Sequence, residues 1–490
     1  MTSTNPVNWN LLGEFYFTLD ATKGEQTIIT NETSAYIYNQ TNFISVKADS
    51  TGGSPSAFID LGASYWVNTG GKSASAQLPG FDIQADTTIG TTAENYSEEY
   101  MVTFERRSRL NVSNNATLTI EGGTKYAYAP GDTETKTSPT INVAEGSTLY
   151  LKGAKNLVGA DVSFTVNGTL KLGDNASFET TSTALKTTIN NLSTGSNVAL
   201  VIGNETQINS GVVLGSLTLK NTANLSVGDI TLNGAYSDSA NSKLNYTGKL
   251  TYNNDARFDI ASAFETSGDF EQVSTNDSGV RVKKSLTLNN GADWIADGKV
   301  DVFENAVLTI NEGAKLIVNT PASVKGNGRL IFYKNSKLYL NGENALAMGD
   351  GSAMKIASMN SAEYADIYIN ANQKINSIYA NNSVFNIYMA DGVLLELAAD
   401  VTKWVISAEG DGEVRIYNFK EETIKVGGKE SEVIVGIESF VKLYDDAGTL
   451  LGNATLSNGW ITLVAVPEPA EWAMILGALA LGLAVYRRRK

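Results

Sequence analysis

Apolar residues recur along most of this chain as short alternating pairs, each followed by a turn and by further apolar residues eight positions on. Leu118 and Ile120 lead in this way to Tyr126 and Tyr128, and Leu149 and Leu151 to Leu157. Leu170 and Leu172 lead to Phe178, and Leu217 and Leu219 to Leu225 and Val227. Alternation of this kind buries one face of a β-strand and leaves the other to solvent. The intervening turns, such as Glu121-Gly122-Gly123-Thr124 and Gly173-Asp174-Asn175-Ala176, carry the small and Asn residues that tight turns favour.

The two-strand unit then repeats at a larger period. Leu286, Leu308 and Leu330 are 22 residues apart, and Leu288, Ile310 and Phe332 keep the same step. So do Trp294, Leu316 and Leu338, and Ala296, Val318 and Leu340. Polar positions follow: Lys315 matches Lys337, and Asn319 matches Asn341. A repeat of this length is typical of solenoids, where one coil cannot cover its apolar face but stacked coils share a core. Equivalent polar residues would then form ladders. A β-sandwich array also places strands every 8–12 residues or so and stays open as an alternative.

The pattern predicts an all-β chain, a parallel β-helix or β-solenoid, with a single C-terminal transmembrane helix and very little helix before it. Residues 111–348 form the regular coils. Residues 1–110 form an irregular β cap, with strand-like pieces at Glu14–Leu19, 27–29, 43–46 and 57–61. Residues 349–465 continue the solenoid less regularly, with strands at 383–388, Glu413–Tyr417 and 432–435.

Composition narrows the function. The net charge is −15, and removing the residues after Val466 takes away four bases and two acids, leaving −17. So acidic a body argues against a nucleic-acid partner, because binding phosphates needs a concentrated basic surface. There is no cysteine and no histidine. That excludes thiolate nucleophiles, Ser-His-Asp triads and the commonest zinc ligands, while carboxylate, Lys, Tyr and calcium chemistry remain open.

The end of the chain has three parts. Val466-Pro467-Glu468-Pro469 breaks the preceding strand, since proline fixes its backbone and donates no hydrogen bond. Residues 472–486 are uncharged, with Trp472 and Tyr486 at the two ends. At about 1.5 Å per residue this run falls a little short of a hydrocarbon core of roughly 30 Å. Arg487, Arg488, Arg489 and Lys490 follow. They snorkel to the interface and place that end in the cytoplasm, with the body on the other side.

Pro467-Glu468-Pro469, the short apolar span and the terminal basic cluster resemble the PEP-CTERM sorting signal of Gram-negative bacteria. The resemblance covers residues 466–490. It implies recognition by exosortase, a membrane-embedded cysteine transpeptidase, with cleavage near the Pro-Glu-Pro. It also implies transient anchoring in the inner membrane through 472–486, and release to the cell surface or an exopolysaccharide-rich matrix. The periodicity of the body resembles autotransporter-like β-helix repeats. Members of the sorted family are exported through an N-terminal signal peptide, and residues 1–25 carry neither a basic residue before Lys23 nor an apolar core. The expectation is a chain that starts downstream of its signal, or a misassigned start.

Candidates for chemistry are few. The acidic pairs Glu98-Glu99, Glu421-Glu422 and Asp445-Asp446 read as solvated surface, because adjacency does not set the separation glycoside hydrolysis needs. The cluster Glu105-Arg106-Arg107-Ser108-Arg109 reads as a solvated strand or a contact to an acidic neighbour rather than a catalytic site. Gly349-Asp350-Gly351 and Glu409-Gly410-Asp411-Gly412-Glu413 read as turns, since neither follows a calcium-binding repeat or loop. Tyr36, Tyr38, Tyr65, Trp66, Tyr126 and Tyr128 are candidates for stacking on sugars, and equally fit ordinary strand faces. No catalytic, cofactor-binding or metal site is expected.

The sequence thus reads as an exported structural or adhesin-like protein of the cell surface or extracellular matrix. Its expected partners are exosortase, of which it is a substrate, and exopolysaccharide or surface glycans. The alternative is a secreted β-helix polysaccharide lyase or glycoside hydrolase.

Overall fold

Alternating runs of only three or four residues make strands too short to persist alone, so they must be stacked in numbers. The computed structural model describes residues 14–464, apart from short stretches of which 69–78, 128–137 and 428–436 are the longest. In the tail it describes residues 476–481, 483, 486 and 487. The protein is all-β, with 55% strand against 4% helix, and its sheets are parallel until the C-terminal end.

Before the C-terminal hairpin, neighbouring strands in sequence do not pair. Through most of the body each lies beside the strand three places on, and a few lie beside the strand two places on. Ser285–Leu288 pairs with Val307–Ile310, which pairs with Arg329–Phe332. Asp293–Ala296, Lys315–Val318 and Lys337–Leu340 stack in the same way. So do Val300–Val302, Ala322–Val324 and Leu346–Met348. The chain therefore runs through three strands and returns one layer up, an arrangement consistent with a β-helix or solenoid.

The register is the one the 22-residue period predicts. Leu286 lies against Leu308 and Leu308 against Leu330. Trp294, Leu316 and Leu338 form one row, and Ala296, Val318 and Leu340 another. The first of these rows runs much further than the repeat. It begins at Val212 and passes through Ile230, Leu250, Phe270, Trp294, Leu316, Leu338, Ile367, Ile387 and Ile416 to Leu443. Every member is buried. One continuous core therefore joins coils whose lengths differ, since Lys186 meets Glu205 in a short coil and Lys337 meets Asp366 in a long one.

Two local expectations are corrected. The unit has a third strand, such as Val300–Val302, whose three residues are too few to register as a periodic signal. Leu157 points outward, half-buried, while Asn156 and Val158 face the core. Asn156 is tolerated there because its side chain is fully used. Its amide donates to the carbonyls of Gly153 (2.9 Å) and Ser177 (3.2 Å), and its Oδ1 accepts from the Thr124 hydroxyl (2.9 Å).

Within 1–110, Glu14–Leu19 pairs with Phe43–Ala48, then come Gly80–Ile83 and Arg109–Val112, all parallel. The same stacking thus runs through the described part of that region. At 383–388 and Glu413–Tyr417 the strands are where the sequence places them, at Val384–Met389 and Glu413–Tyr417. Residues 432–435 lie outside the described residues.

The C-terminal end is closed differently. After Val441–Tyr444 the chain reverses into an antiparallel hairpin, Leu450–Ser457 with Trp460–Leu463. Asn458 and Gly459 form its two-residue turn, with φ of 49° and 81°. Positive φ at both positions matches the right-handed twist of the flanking strands, and Asn-Gly adopts it at least cost. The hairpin covers two free strand edges at once: Lys442 pairs with Asn453, and the Val426 amide donates to the Gly459 carbonyl (2.7 Å). Beneath it Ile437, Val441, Ala454 and Ile461 are buried.

Two outcomes test this packing. Leu316→Ala, in the inner row, is expected to cost about 2–5 kcal/mol, whereas Ile317→Thr on the outer face costs about 0.5 kcal/mol or less. Denaturant midpoints check this, and equal losses contradict the assigned faces. Ile461→Asp lifts the hairpin and uncovers the two edges, so size-exclusion chromatography should show higher-order species. A monomer of unchanged elution volume refutes the capping role.

Candidate functional site

The expected site residues fall into three groups. Pro467, Glu468, Pro469, Trp472, Arg488, Arg489 and Lys490 lie outside the described residues, as do Glu98, Tyr128 and Gly349-Asp350-Gly351. Leu476–Leu481, Leu483, Tyr486 and Arg487 are helical and exposed. No helix among the described residues is long and apolar enough to cross a membrane.

The third group lies on the body. Glu421 and Glu422 are exposed, and Glu99 pairs with Lys155. Asp445 caps the turn into the hairpin, its carboxylate accepting from the Thr449 amide (2.6 Å). Gly410 takes a positive φ of 60°, as a turn glycine would. Among the described residues, no three acids converge as metal ligands do. Arg106, Arg107 and Arg109 are half-buried.

Of the aromatics proposed for sugar stacking, Trp66 and Tyr126 are not available. Both are inside the core, in a chain of ring contacts running from Trp66 through Phe81 and Phe104 to Tyr126. Alternation decides this, since Val102 and Phe104 set the inward face and Tyr126 pairs with Phe104. Burial also pushes the Tyr126 phenol far up. Tyr65 is half-buried, and nothing is described of the side chains of Tyr36 and Tyr38.

The most ordered outward feature lies elsewhere. Tyr339, Tyr368, Tyr388, Tyr417 and Tyr444 occupy one register position on five successive strands. Their rings stack face to face at 4.4, 4.8, 4.8 and 4.7 Å, tilted by no more than 20°. All five are half-buried. Burial, then the neighbouring Asp366, pushes the Tyr388 phenol up to about 12, and burial raises Tyr368 as well. These two phenols are therefore uncharged at neutral pH. The sequence signal was a tyrosine between two aliphatic residues: Leu338-Tyr339-Leu340, Ile367-Tyr368-Ile369 and Ile387-Tyr388-Met389. Its irregular spacing hid it.

A polar row runs beside the tyrosines: Lys337, Asp366, Asn386, Arg415 and Lys442. The Asn386 amide donates to Asp366 (2.9 Å), and Glu413 binds both Arg415 and Lys442. Burial works against the Glu413 carboxylate, but its hydrogen bonds from Arg415 and Lys442 outweigh that and hold it below the usual glutamate value.

At a neighbouring corner stands the expected asparagine ladder. The Asn341 amide donates to Asn319 (2.7 Å), Asn319 to Asp297 (2.6 Å), and Asn370 to Asn341 (2.7 Å). These faces offer ordered, stacked polar and aromatic rows. The chain matches no family model, no curated protein and no solved structure.

The Glu413 arrangement sets a pH dependence. Because folding lowers its pKa, the unfolded state binds more protons in the window below 4.5, the ordinary value. The stability it contributes is complete above that pH and is lost as pH falls through the lowered value. Glu413→Gln should therefore be less stable than wild type at neutral pH, with the gap closing on acidification. Parallel melting curves of the two proteins at all pH values contradict this.

Proposed function

We propose that this chain is an exported structural, adhesin-like β-solenoid of the bacterial cell surface or extracellular matrix, sorted by exosortase through residues 466–490. The observation that carries the reading is the state of the tail. Leu476, Leu479, Leu481 and Leu483 are 58–70% exposed, and Tyr486 stands with them at 61%. Leaving such side chains in water forfeits about 1.5–3 kcal/mol each, and a contiguous apolar surface of this kind points to a lipid or protein cover. The core of the body is already closed by the hairpin under Ile461, so a bilayer is the natural environment for the segment.

The body supports the same reading. Its outer faces are filled with inter-coil ion pairs, stacked tyrosines and amide ladders, which stiffen a long surface. Display of that surface, in a matrix or toward surface glycans, needs neither cofactor nor metal. Arg487 and the bases after it hold the tail's last turn at the cytoplasmic interface until the Pro-Glu-Pro is cut.

Expression behind a secretory signal peptide, in cells that carry exosortase, tests the proposal. Wild-type protein should leave the membrane fraction with a mass lacking the residues after the Pro467–Pro469 region, while Glu468→Ala stays membrane-bound and intact. Wild-type protein found in the soluble fraction with its tail attached defeats the reading. Turnover of a pectin-like or host glycan by the purified body would favour the enzymatic alternative.

A further inference from the structure

We propose that the tyrosine ladder is an oxidative cross-linking site, at which neighbouring rungs couple into dityrosine and staple successive coils covalently. Three observations converge on it. The rings of Tyr339 and Tyr368 are 4.4 Å apart and within 5° of parallel, and the next three steps are no longer than 4.8 Å. Tyr339, Tyr368, Tyr388 and Tyr417 share one register position on adjacent parallel strands, so their side chains leave the sheet on the same face. Rings stacked this closely bring the carbons beside each hydroxyl near those of the next rung, and these are the carbons at which phenoxyl radicals couple. Finally, the parallel strands hold the stack in place, because Tyr339, Tyr368 and Tyr388 each lie between two buried anchors, such as Leu338 and Leu340, while Tyr417 and Tyr444 each follow one, Ile416 and Leu443.

The step balances with a peroxide as oxidant, delivered by a haem peroxidase. Each of two phenols gives up one electron and its hydroxyl proton. The peroxide takes two electrons and two protons and leaves as two waters. The two radicals form one carbon–carbon bond between the carbons next to their hydroxyls. The hydrogens on those carbons then move to the oxygens and restore both phenols. The pair has lost two hydrogens in all. With each ring coupling once, five rungs permit two links in one molecule, each joining residues at least 20 positions apart in sequence.

The geometry distinguishes this from unselective oxidation. The sequence holds 21 tyrosines, and Tyr333 and Tyr364 are more exposed than the ladder, at 39% and 42%. Exposure alone would direct coupling to those two, to Tyr486 at 61%, and to pairs between molecules. The stack instead directs it within one molecule. This chemistry is independent of the sorting tail, so it stands or falls apart from the proposed export.

The test treats the full chain with hydrogen peroxide and a haem peroxidase, then maps cross-linked peptides by mass spectrometry. Expected are monomers lighter by two hydrogens per link, with the joined peptides carrying Tyr339–Tyr368, Tyr368–Tyr388, Tyr388–Tyr417 or Tyr417–Tyr444. The double variant Tyr368→Phe, Tyr417→Phe keeps the ring stack but leaves no two phenols adjacent. It should lose these links while its circular dichroism spectrum stays that of wild type. Wild type unfolded in urea should lose the selectivity as well. Links drawn mainly from Tyr333, Tyr364 or separate molecules overturn the proposal, as do ladder links that persist in the double variant.

Discussion

Parallel backbone hydrogen bonding between coils, in register, is the constraint from which the other features of this protein follow. Strands in a sheet lie about 4.8 Å apart, and successive coils repeat at that distance. A residue that faces inward in one coil must therefore rest on its counterpart in the next, and an outward residue must do the same on the surface. The inner row from Val212 to Leu443 is the first consequence, and the outer tyrosine row is the second. Ring separations of 4.4–4.8 Å are the strand spacing expressed in side chains.

The same constraint organises the charges. An acidic chain of −15 would repel itself if like charges stacked, yet bases often stand one coil from acids. Lys315 meets Asp293 at 2.9 Å, Lys186 meets Glu205 at 3.0 Å, and Lys283 meets Asp259 at 2.8 Å. These pairs are largely exposed, and each contributes at most about 1 kcal/mol. Their value lies in choosing the register, because a slip of one residue would break the pairs and turn the apolar rows to solvent. Asparagine serves the corners similarly, since its amide both donates and accepts and so continues a ladder indefinitely.

A stack of parallel strands also has an intrinsic weakness, since its last coil presents unpaired backbone groups. The antiparallel hairpin at Leu450–Ser457 and Trp460–Leu463 meets this by reversing direction, which a further parallel coil could not do. It satisfies the edges of both Ile424–Gly427 and Val441–Tyr444. The apolar tail then leaves from a closed end.

Local alternation and the 22-residue period were enough to assign strands, inward faces and the stacking of Leu286, Leu308 and Leu330, because burial of one strand face leaves its mark in the order of residues. The Asn319–Asn341 rung was legible for the same reason. The hairpin was written in Asn458-Gly459 but is meaningful only once strands are placed on either side of it. Other features depended on tertiary structure. Whether Trp66 and Tyr126 face sugars or the core, and whether Leu157 or Asn156 points inward, is decided by pairing partners far away in sequence. The tyrosine ladder is the clearest case. Coils of unequal length bring its five residues into line, and the spacing that alignment requires is measured along the stack, where only the folded chain has a period.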